Sequence, residues 1–144
     1  MPAPLTYMLI DGHSVIHAWP ELLLDHRVAT RRHLARTELL RRLRNLQDMS
    51  GMQVVVVFDG AKQGTNEERK KDGLQIIYAD PGTTADTIIE RLVARYAKER
   101  PMRVASADGM VRETILSLGA EWISPETLRG LCNSAETNMR ARLA

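Results

Sequence analysis

The sequence of 144 residues contains a single cysteine, Cys132, and no apolar run long enough to cross a membrane. One cysteine excludes an intrachain disulfide and any zinc site that needs two thiolates. A membrane-spanning helix needs about 20 mostly apolar residues, and the amino-terminal residues lack the basic start, apolar stretch and cleavage motif of a signal peptide. We therefore expect a soluble protein that works in the reducing cytoplasm.

Two glycine-rich phosphate-binding motifs are also missing. The chain has neither the G-x-x-x-x-G-K-[ST] motif of P-loop proteins nor the G-x-G-x-x-G motif of dinucleotide-binding folds, so nothing indicates bound ATP or NAD. The formal net charge is only +2, which by itself says nothing about partners. Residues 26–44, however, contain Glu38 as their one acid beside Arg27, Arg31, Arg32, Arg36, Arg41, Arg42 and Arg44. A polyanion would be attracted to such a segment, although solvated helix faces look similar.

Short apolar runs alternate with helical patterns along the chain. The runs at 7–11, 53–58, 74–78, 103–106 and 121–123 predict strands, and helical periodicity covers 31–50, 85–96, 110–118 and the residues from 125 onward. Thr30, Thr83 and Ser124 are the expected helix caps. Residues 15–28 are expected to form a loop, and residues 61–73 a loop or a short surface helix. The alternation predicts an α/β fold, a three-layer α/β/α sandwich with a mostly parallel central sheet, with residues 1–144 in one domain.

Several acids follow the predicted strands at the same end. Asp11, Asp59 and Asp108 each come directly after a strand, and Asp86 lies at the start of the helix after the third strand, with Glu90 one turn further along. Because the carboxyl ends of parallel strands meet at one edge of a sheet, we expect these acids to share a crevice. Taken singly, each is better explained as a turn former or a helix cap than as a functional acid.

Taken together, these acids indicate a binding site for a cation. Two carboxylates about 4 Å apart repel each other by about 4 kcal/mol at an effective dielectric constant of 20, so four of them need a compensating positive charge. Oxygen ligands without a cysteine or an established histidine ligand favour Mg²⁺ or Mn²⁺ over zinc, and such ions act on phosphate esters. His13 and His17 follow a strand, and His13 is better explained as an orienting or substrate-facing group than as a metal ligand. Cys132 falls on an apolar helix face and is expected in the core.

The segments that carry these acids resemble the YacP-like branch of the NYN domains, which belongs to the PIN-like superfamily of metal-dependent nucleases. The matching segments are MLIDGHSVIHAW (8–19), VVVVFDG (54–60), TADTIIE (84–90) and VASADGMVRE (104–113), followed by Gly119, Ala120 and Ser124. The TAD-x-x-I-E and DG-x-x-x-I-HAW patterns are fairly specific, whereas a strand that ends in Asp-Gly is not. The resemblance implies a PIN-like fold and endoribonuclease activity, in some members on mRNA within ribosomes.

By that resemblance Asp11, Asp59, Asp86 and Asp108 would be the catalytic, metal-binding acids, with His13, Ser14, Glu90 and Ser106 in supporting roles. Two places depart from the usual family pattern. His13-Ser14 stands where an aromatic residue and asparagine are common, and Ser106-Ala107 stands where Thr-Ser is usual before Asp108. Because all four acids are present, we interpret these departures as tuning the activity.

The favoured hypothesis is a Mg²⁺- or Mn²⁺-dependent endoribonuclease that acts on single-stranded RNA. The residues expected to hold RNA phosphates are Arg32 and Arg36, which extend the apolar helix face Ala35-Leu39-Leu43-Leu46 towards the site, and Lys62, Arg69, Lys70 and Lys71 after the second strand. The two arginines could equally extend from the core face to water. Two other functions stay open: a non-catalytic RNA-binding or ribosome-associated module, and a small-molecule phosphohydrolase. A basic rim suits a polymer better than a small ester.

Overall fold

The computed structural model describes residues 5–59, 66–69 and 73–143. Within these ranges a six-stranded sheet has the strand order β3-β4-β2-β1-β5-β6. The strands are β1 (Tyr7–Asp11), β2 (Gln53–Phe58), β3 (Asn66–Arg69), β4 (Gln75–Tyr78), β5 (Met102–Ala105) and β6 (Glu121–Ile123). Neighbouring strands are parallel except for β3 and β4, which are antiparallel. The predicted mostly parallel sheet is therefore confirmed.

Helices cover both faces of this sheet. They are α1 (Gly12–Ala18), α2 (Pro20–His26), α3 (Arg32–Ser50), α4 (Ala85–Tyr96), α5 (Gly109–Ser117) and α6 (Pro125–Leu143), and a 3₁₀ turn, Ala29–Arg31, joins α2 to α3. Helices α1, α2, α3 and α6 pack on one face, and α4 and α5 pack on the other. The three-layer α/β/α sandwich is thus confirmed. None of the helices in the described ranges is long and apolar enough to cross a lipid bilayer.

The interior positions of the central strands β1 and β2 are apolar because both faces of these strands are buried. In β1, Met8 and Ile10 face one core while Leu9 faces the other. Successive side chains of a strand point to opposite faces, so a sheet covered by helices on both sides needs a continuous apolar run. Cys132 of α6 is 1% exposed and lies in the core on the α3 side, as expected.

The expectation of a loop over residues 15–28 is wrong. Helix α1 begins directly after β1, and α2 follows with Pro20 at its first turn. Each helix has only seven residues, which is too short for the helical period to be distinguished. Trp19, between them, is fully buried, and its indole donates a hydrogen bond of 2.8 Å to the carbonyl of Pro125. This bond fixes the segment against the start of α6.

The observed N-caps of two helices also differ from the predicted ones. Thr30 lies within the 3₁₀ turn, and α3 begins one residue later than expected, with Arg31 as its N-cap and no side-chain capping bond. Helix α4 is capped by Thr84 rather than Thr83: the Thr84 hydroxyl accepts a hydrogen bond from the Thr87 amide at 3.2 Å. The amide of Thr83 is instead used in the preceding turn, bonded to the Asp80 carbonyl at 2.9 Å. Ser124 caps α6 as expected, accepting from the Thr127 amide at 3.0 Å.

The segment after β2 was expected to be a loop or a helix, yet residues 66–69 form the edge strand β3. Its sequence, Asn-Glu-Glu-Arg, has no apolar period, so its strand conformation depends on pairing with β4 and not on local preference. Arg69 is the last residue of β3. Lys62, Lys70 and Lys71, expected to bind RNA, lie outside the described residues.

Candidate functional site

Four aspartates line one crevice of about 460 Å³ at the carboxyl edge of the sheet. Asp11 ends β1, Asp59 follows β2, and Asp108 follows β5 and precedes α5. Asp86 is the second residue of α4. The structure therefore brings together the four carboxylates that the sequence placed at this edge.

A separate cavity of about 380 Å³ lies near the opposite ends of the strands. It is lined by Tyr7, Gln75 and Met102 at the starts of β1, β4 and β5, and by Tyr96 and Arg100. No carboxylate lines it, so the aspartate crevice is the better candidate for chemistry on a phosphate.

Each of three carboxylates also accepts a backbone hydrogen bond through its Oδ1 atom. Asp11 accepts from the amide of Ser14 at 3.3 Å and caps α1, and Asp108 accepts from the amide of Met110 at 2.8 Å and caps α5. Asp59 accepts from the amide of Ala85 at 2.7 Å. The capping interpretation is thus correct for Asp108, and Asp11 also caps a helix, but a carboxylate has about four acceptor positions. Capping holds the carboxylates in place without excluding a second role.

The carboxyl groups of Asp11, Asp86 and Asp108 form a hydrogen-bonded row. Asp11 is 6% exposed, and burial, its hydrogen bond with Asp86 and repulsion by Asp86 and Asp59 raise its pKa to about 7. Burial likewise raises the pKa of Asp86, which is also hydrogen-bonded to Asp108 and repelled by it. A hydrogen bond between two carboxyl groups requires a proton on one of them. Repulsion among these carboxyl groups is therefore lower when Asp11 carries a proton.

This donor set suits a divalent cation. Among the described residues, no three His, Cys, Asp or Glu side chains stand in the arrangement of a complete metal cage. Mg²⁺ does not need one, because it commonly binds through one or two carboxylates and keeps water or substrate phosphate in its other positions. Carboxyl groups that share protons because they repel one another are groups that such an ion would bind and deprotonate. The residues present therefore fit Mg²⁺ or Mn²⁺.

His13 stands at the rim of the crevice and is oriented by Asp59. Its Nδ1 atom lies 3.3 Å from the Asp59 amide nitrogen and 3.4 Å from the Asp59 Oδ2 atom. In the neutral ring Nδ1 accepts from the amide and the proton is on Nε2; a protonated ring would instead donate to the carboxylate. The ring also packs edge-on against Phe58, with 5.5 Å between centroids.

Ser14 and Ser106 support the crevice from its wall. The Ser14 hydroxyl accepts a hydrogen bond of 2.6 Å from the Ala107 amide, which joins α1 to the segment after β5. Ser106 is fully buried, and its hydroxyl accepts from the Asp108 amide at 3.1 Å. Ser14 lines the crevice, whereas Ser106 lies beneath Asp108.

Glu90 is not brought to the crevice wall, and three residues outside the predicted site are. Glu90 lies half-buried one turn beyond Asp86 on α4 and is absent from the lining residues. His17, Thr84 and Ala107 do line the crevice. Thr84 is the first residue of the TAD motif, which was a usable signal, whereas Ala107 has no side-chain chemistry to reveal it.

Gly12 allows α1 to begin against β2. A Cβ atom at this position would lie 2.6 Å from Cδ1 of Phe58, inside the contact distance of carbon atoms. Only glycine therefore lets the chain turn from Asp11 into α1 while Phe58 stays next to His13.

Arg32 and Arg36 flank the crevice instead of overhanging it. They line a neighbouring cavity of about 210 Å³ that shares His13 with the crevice. The Arg32 Nε atom donates to the carbonyl of His26 at 2.9 Å, and the Arg36 guanidinium lies 5.9 Å from the ring centre of Tyr78.

The chain is similar to proteins of known sequence and structure. The model of the YacP-like NYN domain family matches residues 8–144. The uncharacterized protein YacP of Bacillus subtilis (strain 168) is 29% identical over 115 residues, which cover 78% of this chain and 66% of that protein, just under two thirds of its length. The crystal structure of Rae1 (YacP) from Bacillus subtilis has a TM-score of 0.77 at 27% identity, covering 99% of this chain and 80% of that chain. A tryptophan-to-leucine variant of it has a TM-score of 0.80 at the same identity, covering 94% and 79%.

Proposed function

The chain belongs to the family of YacP-like NYN domains, and from this premise we propose that it is a Mg²⁺- or Mn²⁺-dependent endoribonuclease. Family membership supports a nuclease of PIN-like fold. The proposal adds the divalent ion, single-stranded RNA as substrate, with mRNA at the ribosome as a candidate target, and a cytoplasmic setting. It also takes residues 1–144 as a single nuclease domain.

The observation that carries the proposal is the row of carboxyl groups in the crevice. Burial and mutual repulsion raise the pKa values of Asp11 and Asp86, as expected for carboxylates that share one cation. Helix capping accounts for the positions of Asp11 and Asp108 but not for the proximity of Asp86 to both. Their proximity is explained if they hold an ion on which a phosphate is placed.

The residues of the chain would act as follows. Asp11 and Asp86 would hold the ion, with Asp108 beside Asp86, and Asp59, which accepts from the Ala85 amide, would fix the start of α4 so that Asp86 lies next to Asp11. A bound Mg²⁺ or Mn²⁺ would supply charge neutralisation of the phosphate and activation of a water molecule. His13, at the rim and oriented by the Asp59 amide, would contact the substrate through Nε2.

The arginines favour RNA over a small phosphate ester. Arg41 and Arg42 of α3 are held by Glu38, and Arg31 by Asp25. In contrast, neither Arg32 nor Arg36 forms an ion pair with a carboxylate within the described ranges. Cations without a carboxylate partner beside a phosphate site extend the binding surface beyond one ester, as a polymer requires.

One observation favours a second candidate, an RNA-binding module with little or no catalysis. Ser14 stands where the family commonly has asparagine, and its hydroxyl already accepts the Ala107 amide. A serine so engaged has only its hydroxyl hydrogen left to donate, whereas an amide offers two donors and an acceptor. This candidate predicts RNA affinity without cleavage.

The deciding experiment compares end-labelled single-stranded RNA, single-stranded DNA and a small phosphodiester, each with Mn²⁺, Mg²⁺ or EDTA. We expect internal cleavage of RNA with either ion and none with EDTA. Asp11→Asn should lower the rate by a factor of about 100 or more, since it removes a group that would hold the ion. Asp48→Asn, at an exposed position of α3, is the matched control and should cleave normally.

Three results would contradict the proposal. RNA bound but never cleaved would favour the binding module. Cleavage of the small ester alone would favour a phosphohydrolase. Equal cleavage by wild type and Asp11→Asn would show that the activity is a contaminant or lies elsewhere.

A further inference from the structure

A small cavity beside the aspartate crevice is lined by basic side chains. It has a volume of about 210 Å³ and is formed by His13, Ile16, His26, Arg32, His33, Arg36 and Phe58. We call it the cationic cavity. Among the described residues it is lined by two guanidinium groups and three imidazoles but by no carboxylate, whereas the adjacent crevice is lined by four aspartates. Opposite charges are therefore segregated into two adjoining depressions.

The arginines of the cationic cavity differ from Arg41 and Arg42 of the same helix. Arg41 donates to both Glu38 and Glu136, and Arg42 to both Glu38 and Glu21, at 2.7–3.0 Å. Within the described residues Arg32 and Arg36 have no such acid, and the first turn of α3 contains none. Helix α3 thus pairs Arg41 and Arg42 with acids but, within the described residues, not Arg32 and Arg36. Positive charge is therefore concentrated at the cationic cavity.

The electrostatics of His26 are consistent with this charge. Burial lowers the pKa of His26, and the neighbouring His17, Arg32 and His13 lower it further. His26 packs edge-on against His17 at 4.8 Å between ring centroids and lies 6.2 Å from the ring of His13. An anion placed beside His26 and Arg32 would offset this repulsion.

His13 belongs to the walls of both depressions, so a ligand can run from one into the other without leaving the protein surface. Both are open to solvent on the same side of the sheet edge. A nucleic acid strand, with regularly spaced phosphates, can place one phosphate at the carboxylates and the next among the basic groups. A small monoester has one phosphate and cannot occupy both depressions.

We propose that the cationic cavity binds the RNA phosphate adjacent to the scissile one, held by Arg32 and Arg36 with His26 and His33 as hydrogen-bond donors. The inference rests on the proposed nuclease function, because it names a subsite of that same substrate. The role of the cavity is to position the substrate. When it holds the neighbouring phosphate, it fixes which phosphodiester bond of the RNA lies over the carboxylates.

The test measures RNA binding in EDTA, so that no cleavage occurs. Wild type, Arg32→Ala Arg36→Ala and the control Arg91→Ala, an exposed arginine of α4, are titrated with a single-stranded RNA at several salt concentrations. The double variant should bind about tenfold more weakly, with a salt slope reduced by about 1.4, because each phosphate contact on a single strand contributes about 0.7. Arg91→Ala should match wild type. Thermal unfolding checks that all variants are folded.

A second readout locates the phosphate. In wild type the imidazole NMR signals of His26 and His33 should shift when RNA binds, and not in the double variant. An RNA with one methylphosphonate next to the mapped cleavage site, which removes a single negative charge, should bind wild type more weakly than unmodified RNA. The double variant should not distinguish the two RNAs.

The inference and the proposed function fail separately. Unchanged affinity and salt slope in the double variant, with unmoved histidine signals and normal cleavage by wild type, would overturn the cavity assignment alone. Histidine shifts and weakened binding in the double variant, without any Mn²⁺-dependent cleavage, would overturn the nuclease function and keep the cavity as an RNA contact.

Discussion

Replacing Asp11 by asparagine should make the metal-free protein more stable at pH 8. Asparagine has nearly the same shape, is an equally good helix cap for α1, and can donate to Asp86 as the protonated carboxyl group does. The substitution therefore removes one negative charge and little else.

The pKa of Asp11 sets the size and the pH range of the effect. It rises from 3.8 to about 7 on folding. Between these values the folded state keeps a proton that the unfolded chain has lost, so stability falls as the pH rises from about 4 to about 7 and is level above that. The full shift corresponds to about 4 kcal/mol. Because Asp86 can take up the proton instead, we expect a measured gain of about 2 kcal/mol for Asp11→Asn at pH 8, and little gain at pH 4.

The assay is urea denaturation of wild type, Asp11→Asn and the control Asp48→Asn at pH 4 to 8 in EDTA, followed by the same series with millimolar Mg²⁺ or Mn²⁺. An ion that binds only the folded state at 100 times its Kd adds about 2.7 kcal/mol. Wild type should gain most at pH 8, where protons no longer compete with the ion, and Asp11→Asn should gain much less.

Two outcomes would refute this reasoning. If the stabilities of wild type and Asp11→Asn change in parallel from pH 4 to pH 8, the Asp11 carboxyl group is not held at a raised pKa by burial and its neighbours. If the divalent ion stabilises both proteins equally, it does not bind at these carboxylates.

Three further substitutions test how the site is built. Gly12→Ala should lower stability by about 1–3 kcal/mol and reduce cleavage, because the added Cβ displaces the Phe58 ring. Unfolding curves and RNA cleavage rates measure the two effects. If neither changes, the Phe58 ring moves aside at no cost. Arg42→Ala should cost about 1 kcal/mol or more of stability without changing RNA affinity, since Arg42 makes two ion pairs and lies 5.3 Å from the Trp19 ring centre. Arg36→Ala should weaken RNA binding and leave stability nearly unchanged. If Arg42→Ala and Arg36→Ala lowered RNA affinity equally, a carboxylate partner would not decide which arginines of α3 bind RNA.

The strands and the acids at their ends could be predicted because both depend on local sequence. A strand buried on two faces must be apolar throughout, as Val54–Val57 is, and the residue after it necessarily emerges at the sheet edge. The buried face of α3, Ala35-Leu39-Leu43-Leu46, was also evident, since 19 residues give the helical period several repeats.

The remaining features depend on contacts between distant segments. Helices α1 and α2 are stabilised by packing of Trp19 and its bond to Pro125, more than 100 residues away. The edge strand β3 exists only through pairing with β4. The ion pair between Arg41 and Glu136 of α6 joins residues 95 positions apart and could not be predicted from the sequence. The sequence therefore could not distinguish Arg41 from Arg32 and Arg36.

The segregation of charge bears on the order of events in the proposed reaction. Ionised carboxylates repel a phosphate, so in the absence of an ion RNA would be held by the cationic cavity and kept away from the crevice. With an ion present, that repulsion becomes attraction, and the strand can occupy both depressions through His13. RNA should therefore bind without the divalent ion and more tightly with it, while cleavage depends on the ion entirely. A small phosphate ester lacks the second contact, and for it both binding and cleavage would depend on the ion.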